Sequence, residues 1–108
     1  MEVVFASRKL AAACTSRKEA QKQYGAVRAK RLAVRLQQLR VADSVADLFE
    51  VTGRCHELTG DLAGQYALDL DGPYRLLFTP LAPDGTRQTT GDRGSATAVV
   101  VERIHNYH

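Results

Sequence analysis

The side chains best suited to proton transfer and phosphate binding fall at three places in this 108-residue sequence. Two of its three histidines lie in the final run His105-Asn106-Tyr107-His108, and the third is His56. Arg75 lies between these two places. Histidine transfers protons near neutral pH, and arginine binds a phosphate through parallel N–H donors. A fold that brings His56, Arg75 and the final residues together on one sheet therefore suits chemistry on a phosphodiester.

Each of these residues also has an ordinary structural interpretation. A histidine in a strand, such as His56, is more often a hydrogen-bonded structural residue than a catalyst. Arg75 would then simply pair with Asp69 across a hairpin.

The final residues raise a further conflict. Strict strand alternation places Asn106 and His108 on one face and His105 and Tyr107 on the other, so all four line one site only if the strand bulges or frays. We expect His105 to be exposed to solvent.

The bulk composition predicts one soluble domain over residues 1–108. No apolar run approaches the roughly 20 residues of a membrane span, and no signal peptide is visible, so we expect a cytoplasmic protein without a membrane role. Cys14 and Cys55 are expected to be free thiols, although a disulfide between them is possible. The cysteines and histidines lack zinc-ligand spacing, so we expect neither a metal nor another cofactor.

Charge is distributed unevenly along the chain. Residues 1–40 carry ten Lys or Arg and two Asp or Glu, whereas residues 41–108 carry five Lys or Arg and ten Asp or Glu. The basic half would attract polyanions. Arg28, Arg31 and Arg35 form a basic stripe on a predicted helix, which would bind RNA phosphates or merely keep the surface soluble.

The N-terminal half of the sequence is predicted to be mainly helical. A short strand, Glu2–Ala6, precedes a helix that starts after the N-cap Ser7, has a second start signal at Thr15, and stops at Gly25. A second helix covers about Ala26–Val41, with a leucine stripe facing the core.

The remaining sequence predicts a short helix followed by strands. Val45–Phe49 is the short helix, with Phe49 turned inward. The strand candidates are Arg54–Leu58, Gln65–Asp71, Tyr74–Thr79 and Ala96–Tyr107, and Pro80–Gly94 is a long exposed loop. This order predicts an α+β fold in which a helical hairpin and a short helix pack on one face of a mainly antiparallel sheet of four to five strands. The other face would be left open.

The run from Cys55 to Leu70, the strand Pro73-Tyr74-Arg75-Leu76-Leu77-Phe78 and the ending His105-Asn106-Tyr107-His108 resemble toxins of the RelE/ParE superfamily. The resemblance is strongest to the HigB-like plasmid maintenance killer group, and the bend Gln23-Tyr24-Gly25 also fits. It spans essentially the whole chain and implies the RelE/ParE-like microbial RNase fold.

The resemblance implies the toxin of a type II toxin–antitoxin system that cleaves mRNA on the translating ribosome. It implies a HigA-like helix-turn-helix antitoxin as partner in a hetero-oligomer. The family's catalytic residues would correspond to His56, Arg75, Asn106, Tyr107 and His108.

The activity implied by the resemblance is cleavage of RNA without a metal, which requires a base for the 2′-OH proton, a cation for the phosphorane, and an acid for the 5′-oxygen. His56 and His108 would share the two proton transfers, each worth about 10²–10⁴ in rate, in an order that the sequence leaves open. Arg75 would clamp the scissile phosphate. Tyr107 would stack on a base or bind the phosphate, and Arg54 is a second candidate cation.

Two other functions stay open at this stage. Thr59 and Asn106 stand where many relatives have Lys and Asp, which favours a degenerate toxin that only binds antitoxin or RNA. A ParE-like toxin that binds DNA gyrase would need no histidines, and the ending His105–His108 argues against that function.

Overall fold

A computed structural model describes residues 1–50 and 54–107. These residues form three α-helices, two 3₁₀ helices and five β-strands. In chain order the α-helices and strands are β1 (Glu2–Phe5), α1 (Arg8–Thr15), α2 (Arg17–Tyr24), α3 (Ala26–Val41), β2 (His56–Glu57), β3 (Tyr66–Asp69), β4 (Tyr74–Pro80) and β5 (Ala98–Asn106). The 3₁₀ helices are Val45–Glu50 and Gly60–Leu62.

The strands form one sheet in the order β1-β5-β4-β3-β2. Strands β1 and β5 are parallel, and the other neighbours are antiparallel. The helices pack on one face of the sheet, where alternate strand residues such as Leu68, Leu76 and Phe78 join the helix leucines in the core. The predicted α+β fold with a mainly antiparallel sheet is confirmed.

The first predicted helix is broken into two. Ser16, not Thr15, is the N-cap of α2, and its hydroxyl accepts a hydrogen bond from the Glu19 backbone N–H. Thr15 instead donates its hydroxyl proton to the Ala11 carbonyl inside α1. Ser16 interrupts the helix because its backbone is extended, while its side chain satisfies an amide at the start of α2.

Two predictions about short elements differ from the structure. Phe49 is half exposed instead of turned inward, and its ring lies edge-on against Tyr66. The predicted strand Arg54–Leu58 shrinks to His56–Glu57, because Arg54 has a left-handed backbone (φ 54°) that a strand cannot include. The predicted end of the short helix at Thr52 and Gly53 lies outside the described residues.

The face opposite the helices, called the outer face here, is not fully open as predicted. Residues 81–97, called the strap, fold against one end of this face. The Arg87 guanidinium pairs with Glu102 of β5, and the Thr79 hydroxyl donates to the same carboxylate. Leu77 and Val100 also point to this side and are buried. The strap therefore leaves only the other end of the outer face exposed.

Both cysteines are free, as expected, and both are buried. Burial raises the pKa of the Cys14 thiol to about 11 and that of Cys55 to about 12. Both thiols are protonated near neutral pH and are poor nucleophiles. In the described parts of the chain, no helix is long and apolar enough to cross a membrane.

Candidate active site on the outer face of the sheet

Strand register brings Arg75 and His105 to the uncovered end of the outer face and places His56 in the next row, at the edge of the sheet. Arg75 of β4 lies directly between Asp69 of β3 and His105 of β5. In the adjacent row His56 of β2 is paired with Ala67 of β3, which is itself paired with Leu77. Because paired residues share a face, His56, Asp69, Arg75 and His105 all point outward.

The two histidines lie on either side of Arg75. Neighbouring strands are about 4.8 Å apart and alternate residues about 6.7 Å apart, so the Cα atoms of His56 and His105 are separated by about 16 Å. The His56 ring is turned toward the Arg54 carbonyl, and the His105 ring packs edge-on against Tyr107. Because the two imidazoles and Arg75 share one face of the sheet, all three are placed to contact a strand of nucleic acid laid across that face.

Arg75 is held rigidly on this face. Its Nε lies 2.7 Å from Oδ1 of Asp69, and its Nη1 donates to the carbonyls of Gly72 (2.9 Å) and Tyr74 (2.8 Å). The other carboxylate oxygen of Asp69 lies 3.5 Å from Nε of the exposed Arg54. Asp69 therefore holds both cations in place and also partly neutralises them.

Tyr107 closes the site beyond the end of β5. Its backbone N–H donates to the Pro73 carbonyl, its ring lies edge-on to His105 at 4.7 Å, and Arg75 lies 5.7 Å from the ring centre. The ring is 44% exposed. An exposed aromatic ring beside an arginine is a suitable surface for stacking a nucleobase.

His56 is oriented by the turn that precedes it. Its Nδ1 lies 2.8 Å from the carbonyl oxygen of Arg54, which can only accept a hydrogen bond. In the neutral ring Nδ1 therefore carries the proton and Nε2 is the basic nitrogen. Arg54 supplies this carbonyl from a left-handed backbone conformation that costs about 1 kcal/mol or more, the kind of strain found at functional sites.

The sequence predictions for the final residues need correction. His105 is half-buried and contacts the site, whereas it was expected to be exposed to solvent. Asn106 is paired with Tyr74, which packs against the core on the helical side, so Asn106 does not join Arg75. His108 lies outside the described residues. The alternation itself was predicted correctly, but the antiparallel register shows which set faces Arg75.

The predicted basic stripe on α3 does not form a continuous surface. Arg35 is 6% exposed, and its Nε donates to the Asp69 carbonyl at 2.6 Å. The pKa of the Arg35 guanidinium is lowered, mainly by burial and to a smaller extent by the nearby charge of Arg31. Arg28 pairs with Asp71 at 3.0 Å and stacks on the Tyr74 ring, so only Arg31 of the three is exposed.

Two solved structures are similar to this one over almost their full length. The YoeB/ParE toxin from Agrobacterium tumefaciens has a TM-score of 0.64 at 12% identity, with 100% of each chain covered. The YoeB-YefM complex from Staphylococcus aureus has a TM-score of 0.60 at 15% identity, with 100% of this chain and 97% of that chain covered.

The fold is that of YoeB/ParE-type toxins. The likeness is one of fold, since no protein-family model matches the sequence and no curated protein matches it. Within this toxin fold, the uncovered end of the outer face gathers His56, Arg75, His105 and Tyr107.

Sequence reasoning missed two members of the candidate site. Asp69 was considered only as a structural partner of Arg75, and His105 was set aside as exposed. The pairing of Arg75 with His105 depends on the antiparallel register between β4 and β5, which the sequence pattern does not specify. In residues 1–50 and 54–107, no group of three or more His, Cys, Asp or Glu side chains could hold a metal ion.

Proposed function

We propose that this protein is the toxin of a type II toxin–antitoxin system and that it cleaves mRNA on the translating ribosome without a metal. The observation that carries the proposal is the arrangement of two imidazoles on either side of a fixed arginine, on the open face of a YoeB/ParE-type fold. The narrower HigB-like assignment rests on sequence motifs alone.

The proposed reaction starts with the 2′-OH. Nε2 of one histidine takes the 2′-OH proton, and a bond forms between the 2′-oxygen and phosphorus. The other imidazole donates a proton to the 5′-oxygen as the P–O5′ bond breaks, which leaves a 2′,3′-cyclic phosphate and a 5′-OH. His56 has the geometry of a base because its Nδ1 faces a carbonyl. His105 would then act as the acid, and so would take one of the two proton-transfer roles that the sequence analysis had shared between His56 and His108 without assigning their order.

Arg75 would stabilise the phosphorane with the N–H groups that face solvent, and Tyr107 would stack on a neighbouring base. Arg54 would bind an adjacent phosphate, since its side chain is 85% exposed. Preorganised charge of this kind typically contributes several kcal/mol to transition-state stabilisation. No residue of this set requires a metal for its role.

The partner in this proposal is an antitoxin. One of the similar structures is a complex of YoeB with YefM, which supports a toxin–antitoxin pairing for this fold. A HigA-like helix-turn-helix antitoxin, a toxin–antitoxin hetero-oligomer and a cytoplasmic location follow from the HigB-like resemblance and are part of the proposal.

The proposal is tested by inducing the untagged protein in a bacterial host and mapping cuts in a translated mRNA by primer extension. We expect translation-dependent cuts with wild type, and loss of cuts and toxicity with His56→Ala and with Arg75→Ala. Lys22→Ala, an exposed change on α2, is the matched control and should cut normally. Growth arrest that persists in His56→Ala without any cuts would overturn the nuclease and indicate a gyrase-type target. If wild type neither arrests growth nor cuts, the protein is a degenerate toxin.

A further inference from the structure

Glu57 is a carboxylate directly beside the candidate base His56, but it faces the other way. The two residues make up strand β2, and consecutive residues of a strand point to opposite faces of the sheet. Glu57 is paired with Tyr66, whose side chain belongs to the core on the helical side. Glu57 therefore does not take part in proton transfer on the outer face.

On the helical side the Glu57 carboxylate is held by Arg93 of the strap. Nη2 of Arg93 donates to both carboxylate oxygens, at 2.5 and 2.8 Å. The guanidinium also lies 5.4 Å from the centre of the Tyr66 ring. The Arg93 side chain is only 16% exposed, so this pair is better shielded from water than an ordinary surface ion pair. Hydrogen bonds between charged groups are stronger than those between neutral groups.

The backbone that carries Arg93 is anchored independently of β2. The Arg93 carbonyl accepts a hydrogen bond from the Ala96 N–H at 3.2 Å. The carbonyls of Gly94 and Ala96 accept from the N–H groups of Ala46 (2.9 Å) and Val45 (3.1 Å), at the start of the first 3₁₀ helix. The strap is therefore bonded to the body of the protein on both sides of Arg93's own turn, and the Arg93 side chain extends from a fixed point.

Strand β2, in contrast, is weakly held. It is two exposed residues long and lies at the edge of the described sheet, where β3 is its one neighbour. Just after it, the Leu58 N–H donates to the Gln65 carbonyl at 2.9 Å. Short segments with exposed backbone hydrogen bonds open locally at low free energy. Because His56 lies on this strand, such an opening would carry its imidazole away from Arg75.

We propose that Arg93 is a positioning residue, which fixes β2 through Glu57 and thereby holds the His56 imidazole on the same face as Arg75. The inference rests on the proposed function, since it takes His56 as a proton-transfer group. It gives the strap a part in the reaction, although Arg93 lies on the helical side of the sheet and the RNA would lie on the other.

Two simpler roles for Arg93 fit the structure less well. Direct contact with RNA on the outer face is opposed by its burial on the helical side. A role in overall stability alone would not distinguish it from Arg87, the strap arginine that pairs with Glu102. Glu102 belongs to β5, which β4 and β3 separate from β2. Arg93 and Arg87 therefore form a matched pair for an experiment.

The first test is single-turnover cleavage of mRNA on purified translating ribosomes. Arg93→Ala should lower the maximal rate by about ten- to hundredfold, because His56 is displaced. The protein concentration that gives half the maximal rate should stay within about threefold of wild type, because Arg93 does not contact RNA.

Two further variants separate positioning from a general loss of stability. Arg93→Lys should cleave within about threefold of wild type, since one nitrogen makes both hydrogen bonds to Glu57 and an ammonium group can replace it. Arg87→Ala should also cleave within about threefold of wild type, although it breaks the other ion pair of the strap. Far-UV circular dichroism checks that every variant is folded.

The second test does not require RNA cleavage. Amide hydrogen exchange of Leu58, followed by NMR, reports how often β2 leaves β3, because this N–H is bonded to the Gln65 carbonyl. Arg93→Ala should speed this exchange by about five- to tenfold, and Arg87→Ala should leave it unchanged.

Three results would overturn the inference: normal cleavage by Arg93→Ala beside an inactive His56→Ala, equal loss in Arg93→Ala and Arg87→Ala, or unchanged exchange of Leu58 in Arg93→Ala. A wild type that does not cleave mRNA would instead refute the proposed function. In that case the exchange of Leu58 alone decides whether Arg93 fixes β2, so the two failures are distinguishable.

Discussion

The two ends of the outer face are built from the same sheet, but they differ in how far their charged side chains are covered by other residues. At the strap end, Glu102 accepts two hydrogen bonds from Arg87 and one from Thr79, and the surrounding side chains are buried. At the other end, Asp69 bridges Arg75 and the exposed Arg54 without a cover. One end is a closed structural contact, and the other presents its cations to a ligand.

We therefore expect one end of the sheet to contribute mainly to stability and the other end mainly to function. Substitutions at the uncovered end should change activity or binding and leave folding nearly unchanged. Substitutions under the strap should change the free energy of unfolding.

The largest effect is expected for His105→Ala. We expect RNA cleavage to fall by about 10²–10⁴, because a proton-transfer group is lost, while the urea midpoint stays close to wild type. Single-turnover cleavage of mRNA on purified translating ribosomes measures the rate. Asn106→Ala is the matched control, since Asn106 is the next residue but faces the helical side. Normal cleavage by His105→Ala together with loss in Asn106→Ala would reverse this assignment.

The contact between the strap and the rest of the chain should break with Gly64→Ala. Gly64 has φ +93°, and a Cβ there would lie 2.9 Å from the Thr89 side chain of the strap. We expect a loss of about 2–3 kcal/mol in unfolding free energy, measured by urea denaturation.

Gly72→Ala isolates the steric part of that loss. Gly72 also has positive φ (+53°), but a Cβ there would meet nothing within 4 Å. Gly72→Ala should therefore lower the unfolding free energy by about 1 kcal/mol, because only the backbone conformation opposes the new side chain. Equal losses in the two variants would show that the strap does not press on Gly64.

The uncovered end should bind anions more tightly when its own carboxylate is neutralised. Asp69→Asn removes the negative charge that lies 2.7 Å from Arg75. We expect binding of a 2′-O-methyl oligonucleotide, which cannot be cleaved, to tighten by about three- to tenfold at low salt. Asp71→Asn is the control. Asp71 also pairs with an arginine, Arg28 at 3.0 Å, but that arginine belongs to α3 and not to the uncovered end. Unchanged or weaker binding by Asp69→Asn would mean that Asp69 mainly positions Arg75.

Much of the fold was predictable from local patterns. The bounds of α3 were predicted correctly, because glycine before it and a leucine stripe within it are local signals. Strands β3 and β4 fall close to the predicted strands Gln65–Asp71 and Tyr74–Thr79, because alternation of apolar residues is also a local signal. Helix caps were harder, since adjacent Thr15 and Ser16 are both good caps and only the backbone geometry distinguishes them.

The candidate site was less predictable because it depends on contacts between distant segments. Arg35 was assigned to a basic surface by its helical spacing, but it is buried against Asp69, 34 residues away. His105 joined the site through a register that no local pattern encodes. The predictions for Arg75 and Asp69 as a cross-strand pair were correct, because a hairpin with a short turn fixes its own register.

The smallest effect concerns acid stability at the strap end. Hydrogen bonds from Arg87 and Thr79 hold the pKa of Glu102 below its usual value of 4.5, although burial opposes them. Since the unfolded chain binds this proton more readily, the stabilisation is fully present above about pH 4.5 and is lost as pH falls through the folded-state pKa. Glu102→Gln should therefore remove part of the difference in unfolding free energy between pH 6 and pH 3.5, by under about 1 kcal/mol because Arg87 is half exposed. Thermal melts at both pH values measure this, and an identical pH dependence in wild type and Glu102→Gln would show that the strap is held by packing and backbone hydrogen bonds without help from its ion pair.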